Sequence, residues 1–461
     1  MKTCRTLYFS GIPIQLNHPV IEAETSHSFC KFIIGQAPRS FFFLRDMTFD
    51  LALIPLSGKQ ASHVTHSQFI QVLSGAVYLK ALTLNGGEVF LSENPALANA
   101  VCALSKLSEL TIVLPKDNPQ FCTTFLSKIQ APLKMLDVAF DGFDHLDDDP
   151  EEDLNPLEII SPLRHTLEDL AVRMIDIGSV DIAFPMVTSL RANITSIALT
   201  RTLKDVFPNL LHLNAQTTPF EVYPRLEEMR TWRSRKSLTP RAEVWPCLDT
   251  LSSDPLSLYA LGVDCKVRYL EVKGSVTCTQ EALADWRTVL TDASPTCLTF
   301  NVLKDGFEAH HIAELLPPSL SLTHLKIGIS LTTKPSVIAD EVFDALYRLL
   351  RSMRLEDLFL SCSCQEDIGL DELYIQEFGV DVDQRPMSRN VAFVAGLDGE
   401  TVTRNILAAM PTLRHFILET RHRRNQEWEK SVWKVNVVES SGDDRSFMLS
   451  EERGFQRAAG V

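Results

Sequence analysis

The sequence predicts an α/β fold in which one short unit repeats along the chain. Apolar residues recur at positions p, p+3 and p+5 of a motif, as in "FPNLLHLNA" at residues 207–215. Successive copies are mostly about 20 to 35 residues apart, the range of leucine-rich repeats. Segments with helical periodicity precede many copies. The predicted fold class is therefore a leucine-rich-repeat solenoid, a right-handed horseshoe with a parallel strand ladder on its concave face and mostly helices on its convex face.

The repeated motif explains how such a chain folds. Its apolar residues at p+3 and p+5 are two apart, so both point to the same face of a short strand, while the residue between them faces solvent. Stacking the strands in parallel buries the apolar positions as a ladder. The clearest copies are Leu79/Leu82/Leu84, Leu107/Leu110/Ile112, Leu133/Leu136/Val138, Leu167/Leu170/Val172, Leu210/Leu213/Ala215, Val267/Leu270/Val272, Leu322/Leu325/Ile327, Leu355/Leu358/Leu360 and Leu413/Phe416/Leu418. Looser copies are Cys4/Leu7/Phe9, Leu44/Met47/Phe49, Val187/Leu190/Ala192, Leu226/Met229/Thr231, Leu248/Leu251 and Pro295/Leu298/Phe300.

Helices are predicted upstream of many copies. "NPALANAVCALSKLSEL" begins with Asn94 as the N-cap and Pro95 at the first helical position. "QEALADWRTVL", "GFEAHHIAELL", "DEVFDALYRLLRSM" and "GETVTRNILAAM" have apolar residues at helical spacing. Copies between Val187 and Val267 are closer together, and we expect extended or 3₁₀ connections there instead of helices.

The predicted organisation is one solenoid followed by a cap. The solenoid spans residues 1–420 and carries an acidic insertion near 141–156. A second irregular stretch, residues 361–390, separates the last two clear copies and has room for a degenerate unit. Residues 421–461 are expected to form a C-terminal capping segment and tail, with "EWEKSVWKVNVVES" and "SFMLSEE" as a hairpin or strand pair.

Composition narrows the possible partners and locations. The formal net charge of −15 disfavours binding to nucleic acid and to anionic membranes. The N-terminus lacks the apolar core of a signal peptide, and no window approaches the ~20 apolar residues of a membrane span. Ten cysteines are too sparse for a disulfide scaffold. We therefore expect a cytoplasmic or nuclear protein with reduced thiols.

Sequence motifs of common enzymes are not found. The chain has no G-x-x-x-x-G-K-S/T, G-x-G-x-x-G, H-E-x-x-H or G-x-S-x-G string. We expect a non-enzymatic protein without a cofactor, and an unrecognised hydrolase is the less favoured alternative.

Four short clusters contain residue types that occur in metal, catalytic or anion sites. Cys362-Ser363-Cys364 lacks a second ligand pair at zinc spacing, so a cysteine-rich strand edge is favoured. His310-His311 are expected on an amphipathic helix, and the Asp147-Asp148-Asp149 run lacks the calcium-loop pattern and is expected to be a solvated loop. "RHRR", residues 421–424, is expected to be a solvated exit loop. We predict no metal site.

The strand residues that face solvent form the candidate binding surface. We predict that this concave face binds a protein through a set of polar and aromatic residues. The set is Arg173, Arg191, His212, Asn214, Arg230, Trp232, Tyr269, Glu271 and Lys273. Trp232 stands out, because tryptophan and arginine most often anchor protein interfaces. The alternative is that Trp232 packs under a neighbouring loop.

Irregular helix–strand repeats with F-P-x-L-x-x-L pieces resemble the leucine-rich-repeat regions of fungal F-box-type proteins. "CRTLYFSG", "LSELTIVL" and "LRHFILET" carry this resemblance, together with the tryptophan-containing tail. In that family an N-terminal F-box binds a Skp1-like adaptor of a ubiquitin ligase, and the repeats present a substrate. This sequence begins inside a repeat at Cys4 and shows no F-box, so we expect either a truncated gene model or a relative that lost the motif.

The resemblance implies non-enzymatic protein recognition, similar to the substrate-receptor region of an SCF-type ubiquitin ligase. A Skp1-like adaptor is expected as a partner only if an F-box lies upstream. The alternative is a stand-alone scaffold or inhibitor of the ribonuclease-inhibitor kind, with no link to ubiquitin.

Overall fold

The computed structural model describes most of the chain, in two compact units, Met1–Arg225 and Leu226–Val461. The described residues are 16–50, 59–86, 88–115, 118–141, 155–175, 177, 181–194, 200–217, 227, 230–231, 245–302, 309–331, 339–365, 388–424, 427–438 and 446–457. Each unit alternates strands and helices, so the predicted α/β repeat fold is confirmed. Among these residues, no helix combines the length and the apolar character needed to span a membrane.

The first unit contains a sheet of parallel strands that follow one another in chain order. Its strands are β1 (Val20–Glu22), β2 (Asp46–Asp50), β3 (Ala81–Asn85), β4 (Glu109–Pro115), β5 (Met135–Asp141), β6 (Asp169–Ile175), β7 (Ser189–Ile194) and β8 (His212–Thr217). Its helices are α1 (Ala23–Gly35), α2 (Lys59–Gly75), α3 (Glu88–Glu93), α4 (Pro95–Cys102), α5 (Pro119–Ser127), α6 (Pro156–Ile160) and α7 (Thr200–Val206), with 3₁₀ turns at Ser40–Phe43 and Ser161–Leu163.

The motif sets the register of this sheet. Each p+3 residue pairs with the p+3 residue of the next strand, from Met47 through Leu82, Leu110, Leu136, Leu170 and Leu190 to Leu213. All of these side chains are at most 1% exposed. Because neighbouring repeats share this ladder, no single repeat buries its apolar face alone.

The second unit repeats the plan and ends in antiparallel strands. Its parallel strands are β9 (Cys247–Ser253), β10 (Lys266–Val276), β11 (Cys297–Val302), β12 (His324–Leu331), β13 (Asp357–Gln365) and β14 (His415–Arg424), followed by antiparallel β15 (Glu427–Val438) and β16 (Ser446–Arg457). Its helices are α8 (Pro255–Leu261), α9 (Gln280–Ala293), α10 (Ala309–Ile312), α11 (Ala339–Arg351), α12 (Arg389–Ala395) and α13 (Gly399–Ala409).

The ladder of the second unit has the same register. Leu251, Leu270, Leu298, Leu325, Leu358 and Phe416 pair in succession. Beyond β14, Val435 continues the apolar row opposite Phe416. The predicted strand pair in the tail is therefore confirmed as β15 and β16, which extend the core beyond the last repeat.

Helix starts follow the local sequence. Asn94 accepts a hydrogen bond from the backbone N–H of Leu97 at 3.2 Å, with Pro95 at the first position of α4, as predicted. Asp254 caps α8 in the same way, and Thr279 caps α9. These side chains satisfy N–H groups that the first helical turn leaves without partners.

Three predictions for the connections and loops are wrong. The closely spaced middle copies do contain helices, since α7 and α8 connect their strands. Arg230 and Thr231 are helical, although the looser copy that ends at Thr231 predicted a strand. Residues 421–424 form the end of β14 instead of a solvated exit loop, because β15 pairs along their whole length.

One repeat was missed by the sequence pattern. In β1, Ile21 pairs with Phe49 and is 2% exposed, so Leu16, Pro19 and Ile21 hold the p, p+3 and p+5 positions. Proline lacks a backbone donor, but its carbonyl accepts from Thr48 N at 3.0 Å. The expectations for the Cys4 copy, for 142–154 in the acidic insertion and for a degenerate unit at 366–387 lie outside the described residues.

Candidate functional site

The first unit brings together three of the predicted outer-face residues. Arg191 and Asn214 are opposite each other on β7 and β8, and His212 lies two residues before Asn214 on the same face. Arg191 reaches over the small, buried Ala171 of β6, and its Nη2 atom lies 3.7 Å from Asp137 Oδ2 on β5. Arg191 is therefore held along the face by an exposed ion pair.

Arg173 lies where the register between β6 and β7 shifts. Its side chain is exposed. Arg191 pairs with Ala171 of β6, so Arg173, two residues further along β6, lies outside the row that contains Arg191. The pattern predicted its exposure but not the register shift beside it.

In the second unit, Tyr269, Glu271 and Lys273 lie on β10, as predicted. The Tyr269 hydroxyl lies 3.1 Å from Thr299 Oγ1 on β11. Glu271 accepts a hydrogen bond from Ser252 on β9 at 3.1 Å. These cross-strand contacts fix the two side chains on the outer face of the ladder.

Arg230 lies on a helical segment instead of the predicted strand. Its guanidinium lies 2.7 Å from Glu227 and 2.9 Å from Asp285 on α9, with Glu281 at 3.5 Å. Hydrogen bonds to Asp285 and Glu227 raise the pKa of Arg230 above its usual value. Arg230 thus ties a helical segment to α9 and is not a strand residue of the ladder. Trp232 lies outside the described residues.

An apolar centre lies further along the outer face of the second unit. We call the row Lys326, Phe359, Ile417 and Lys434, which crosses β12 to β15, the anchor row. Phe359 and Ile417 are only half-buried, although they face the solvent side of the sheet. Lys326 Nζ lies 5.0 Å from the centroid of the Phe359 ring, a cation–π contact.

A second row lies beside the anchor row, two residues earlier on each strand. Asp357 Oδ2 lies 2.9 Å from His324 Nε2, and Asp357 Oδ1 lies 2.8 Å from His415 Nδ1. One carboxylate therefore joins three adjacent strands. Both imidazole rings are exposed. The other ring nitrogen of His324, Nδ1, already lies 2.8 Å from Thr323 Oγ1, whereas His415 contacts Asp357 through Nδ1 and can offer Nε2 to a partner.

On the other side of the anchor row, Glu419 is nearly buried, with a side chain 9% exposed. Arg421 Nε lies 2.5 Å and Lys430 Nζ 3.0 Å from its carboxylate. A buried carboxylate is costly unless it is paired, and two cations offset that cost here. The apolar centre is therefore framed on one side by a carboxylate bonded to two histidines and on the other by an ion-paired carboxylate.

The cysteine pair belongs to the core. Cys362 and Cys364 are fully buried on β13, and burial raises the pKa of the Cys362 thiol. Ser363 between them faces outward and bonds to Ser330 at 3.1 Å. Throughout the part of the chain that the structure describes, no three His, Cys, Asp or Glu side chains converge in a way that could hold a metal ion.

The sequence analysis did not predict the anchor row, although two motif copies contain its apolar residues. In "LEDLFL" and "LRHFIL" the position between the two buried ladder residues is Phe359 or Ile417. Most other copies have a polar or small residue there, such as Thr83, Asp137 or Asn214. An apolar residue at the solvent-facing position was the indication that this part of the face differs.

No protein-family model matches this chain, and no curated protein is found to be similar to it.

Proposed function

We propose that the outer face of the second unit's strand ladder recognises a protein partner, with Phe359 and Ile417 as its anchor. The proposal rests on one observation: two large apolar side chains lie paired and half-exposed on a face that is mostly polar. Aromatic residues at the centre of a polar rim are typical of binding hot spots. The row spans four strands about 4.8 Å apart, so it is about 14 Å long.

The surroundings favour a partner with both apolar and polar groups. Lys326 and Lys434 lie at the two ends of the row, and the Asp357 carboxylate with its two histidines lies beside it. A partner that places an apolar side chain between the lysines can also pair with them. The charged groups would fix orientation and register more than they add affinity.

Two protein-recognition roles remain proposals. The role of a substrate receptor in an SCF-type ubiquitin ligase is supported only by the sequence resemblance to fungal F-box-type repeat regions. The alternative, a stand-alone scaffold or inhibitor, is supported by the ladder alone. Co-purification of a Skp1-like adaptor with the endogenous protein favours the first role, and its absence favours the second.

The recognition proposal is tested with strand-compatible substitutions. Phe359→Thr and Ile417→Thr place threonine, a residue of high strand propensity, in each strand but remove most of the apolar surface. We expect the pair to weaken capture of the chief partner at least tenfold while the melting temperature changes little. Thr83→Ala, at the same motif position in the first unit, is the matched control and should bind normally. Equal capture by all of these proteins would refute the proposal.

A further inference from the structure

A cleft on the helical side of the second unit is separate from the ladder face. It is bounded by α11, α12 and α13 and has a volume of about 430 Å³. That volume lies at the lower end of the range for ligand pockets in proteins. Its size suits one side chain of a partner better than a folded element.

Aromatic rings line this cleft. The Phe343 and Phe393 ring centroids are 5.3 Å apart at an angle of 57°, and Phe343 and Tyr347 are 6.2 Å apart at 65°. Phe343 is buried, whereas Phe393 and Tyr347 are half-exposed. Ring faces of this kind attract cations through their quadrupoles.

The charged groups of the lining are all acidic. The described lining residues include Asp340, Asp344 and Asp398 and contain no lysine or arginine. Asp340 pairs with Arg389 at 3.2 Å. Asp398 caps α13, and hydrogen bonds from Thr401 and Glu400 lower the pKa of its carboxyl. Both carboxylates therefore already have protein partners.

Asp344 differs from the other two. Among the described residues, no cation lies within ion-pair distance of its carboxylate, and nearby Arg348 bonds to the Asp344 backbone oxygen at 3.4 Å instead. A carboxylate beside aromatic faces matches the planar, donor-rich guanidinium group, which stacks on rings and binds carboxylates with two parallel hydrogen bonds.

We propose that this cleft binds an arginine side chain of a partner protein, with Asp344 as the carboxylate partner and Phe393 and Tyr347 as the stacking surface. Charge complementarity supports this occupant over an acidic or a purely apolar one. A metal ion is disfavoured, because the described side chains here do not converge in a metal-binding geometry. The site does not depend on the ladder face for its function.

The test uses small probes and the full chain. N-acetyl-arginine methylamide is titrated while the methyl resonances of Leu397 and Val402, which line the cleft, are followed by NMR. The neutral isostere N-acetyl-citrulline methylamide is the control ligand. We expect the arginine probe to shift these resonances with saturation and the citrulline probe to bind at least about threefold more weakly. This comparison needs no variant to fold.

Variants then locate the contact. Asp344→Asn should weaken the arginine probe about three- to fivefold, the scale of one exposed ion pair. Glu341→Gln removes a charge from the exposed surface of the same helix, outside the cleft, and should leave binding nearly unchanged. Equal effects of the two variants, equal binding of both probes, or no saturable shift at tens of millimolar would each overturn the proposal.

Discussion

The close packing of α13 against β15 predicts that a larger residue at the start of α13 destabilises the C-terminal part of the protein. Gly399 is the first residue of α13, and a Cβ built on it would lie 2.5 Å from atoms of the Trp433 indole. Carbon atoms pack at about 3.5–4.0 Å, so the ring would have to move by about 1–1.5 Å. Trp433 is 7% exposed and is held in a strand that pairs on both sides, so it has little room to move.

Gly399→Ala should therefore destabilise the protein. Overpacking of this kind costs about 1–3 kcal/mol, and the better helix propensity of alanine returns at most about 1 kcal/mol. We expect a net loss of about 1–2 kcal/mol in the free energy of unfolding. The measurement is urea unfolding, followed by circular dichroism and by tryptophan fluorescence.

A double-mutant cycle with Trp433→Ala tests the cause. Removing the indole costs about 3–5 kcal/mol alone but leaves room for the new methyl group, so the two changes should cost about 1–3 kcal/mol less together than their sum. Gly35→Ala is the matched control, because nothing lies within 4 Å of its Cβ position. An additive cycle, or a Gly399→Ala protein as stable as the parent, would refute this packing.

Three further predictions concern the ladder and the thiols. Leu213→Ala and Leu270→Ala should each cost about 2–5 kcal/mol in unfolding free energy, since both are at most 1% exposed; melting curves like the parent's would contradict the register. Arg191→Ala should change stability by less than about 1 kcal/mol, because its ion pair is half-exposed; a larger loss in urea unfolding would show a structural role. At pH 8, maleimide should label the exposed Cys247 quickly in the native protein, whereas Cys122 should stay unlabelled until unfolding, because burial raises its pKa to about 12. Equal labelling of the two cysteines, measured by peptide mass spectrometry, would be inconsistent with the fold.

The strand ladder was predictable because its information is local. Leu82, Leu110 and Leu136 pair in the register that the p+3 position implies. A period of two within a strand leaves one choice of buried face, and a slip of one residue would turn every leucine outward. The sequence pattern therefore determines the pairing without knowledge of distant contacts.

The remaining features depend on contacts that a short window does not contain. The motif predicted a strand at Arg230 and Thr231, but a three-residue spacing of apolar residues also suits a helix. In the structure these residues are helical, and Arg230 forms an ion pair with Asp285, which is distant in sequence. Pro19 concealed the repeat at Leu16, Pro19 and Ile21, because proline is unusual at a ladder position. The anchor row needs Phe359 and Ile417 to be neighbours across two strands, which only the pairing of β13 with β14 establishes.

Binding of a protein by the ladder face around Phe359 is tested most directly by site-specific photo-crosslinking. A benzophenone amino acid replaces Phe359 in one protein and Thr288, exposed on α9, in another. We predict one saturable crosslinked partner from position 359 in cell extract, lost when Ile417→Asp is added, and no such product from position 288. Crosslinking from position 359 that is no stronger than from position 288, or that survives Ile417→Asp, would contradict the proposed recognition surface.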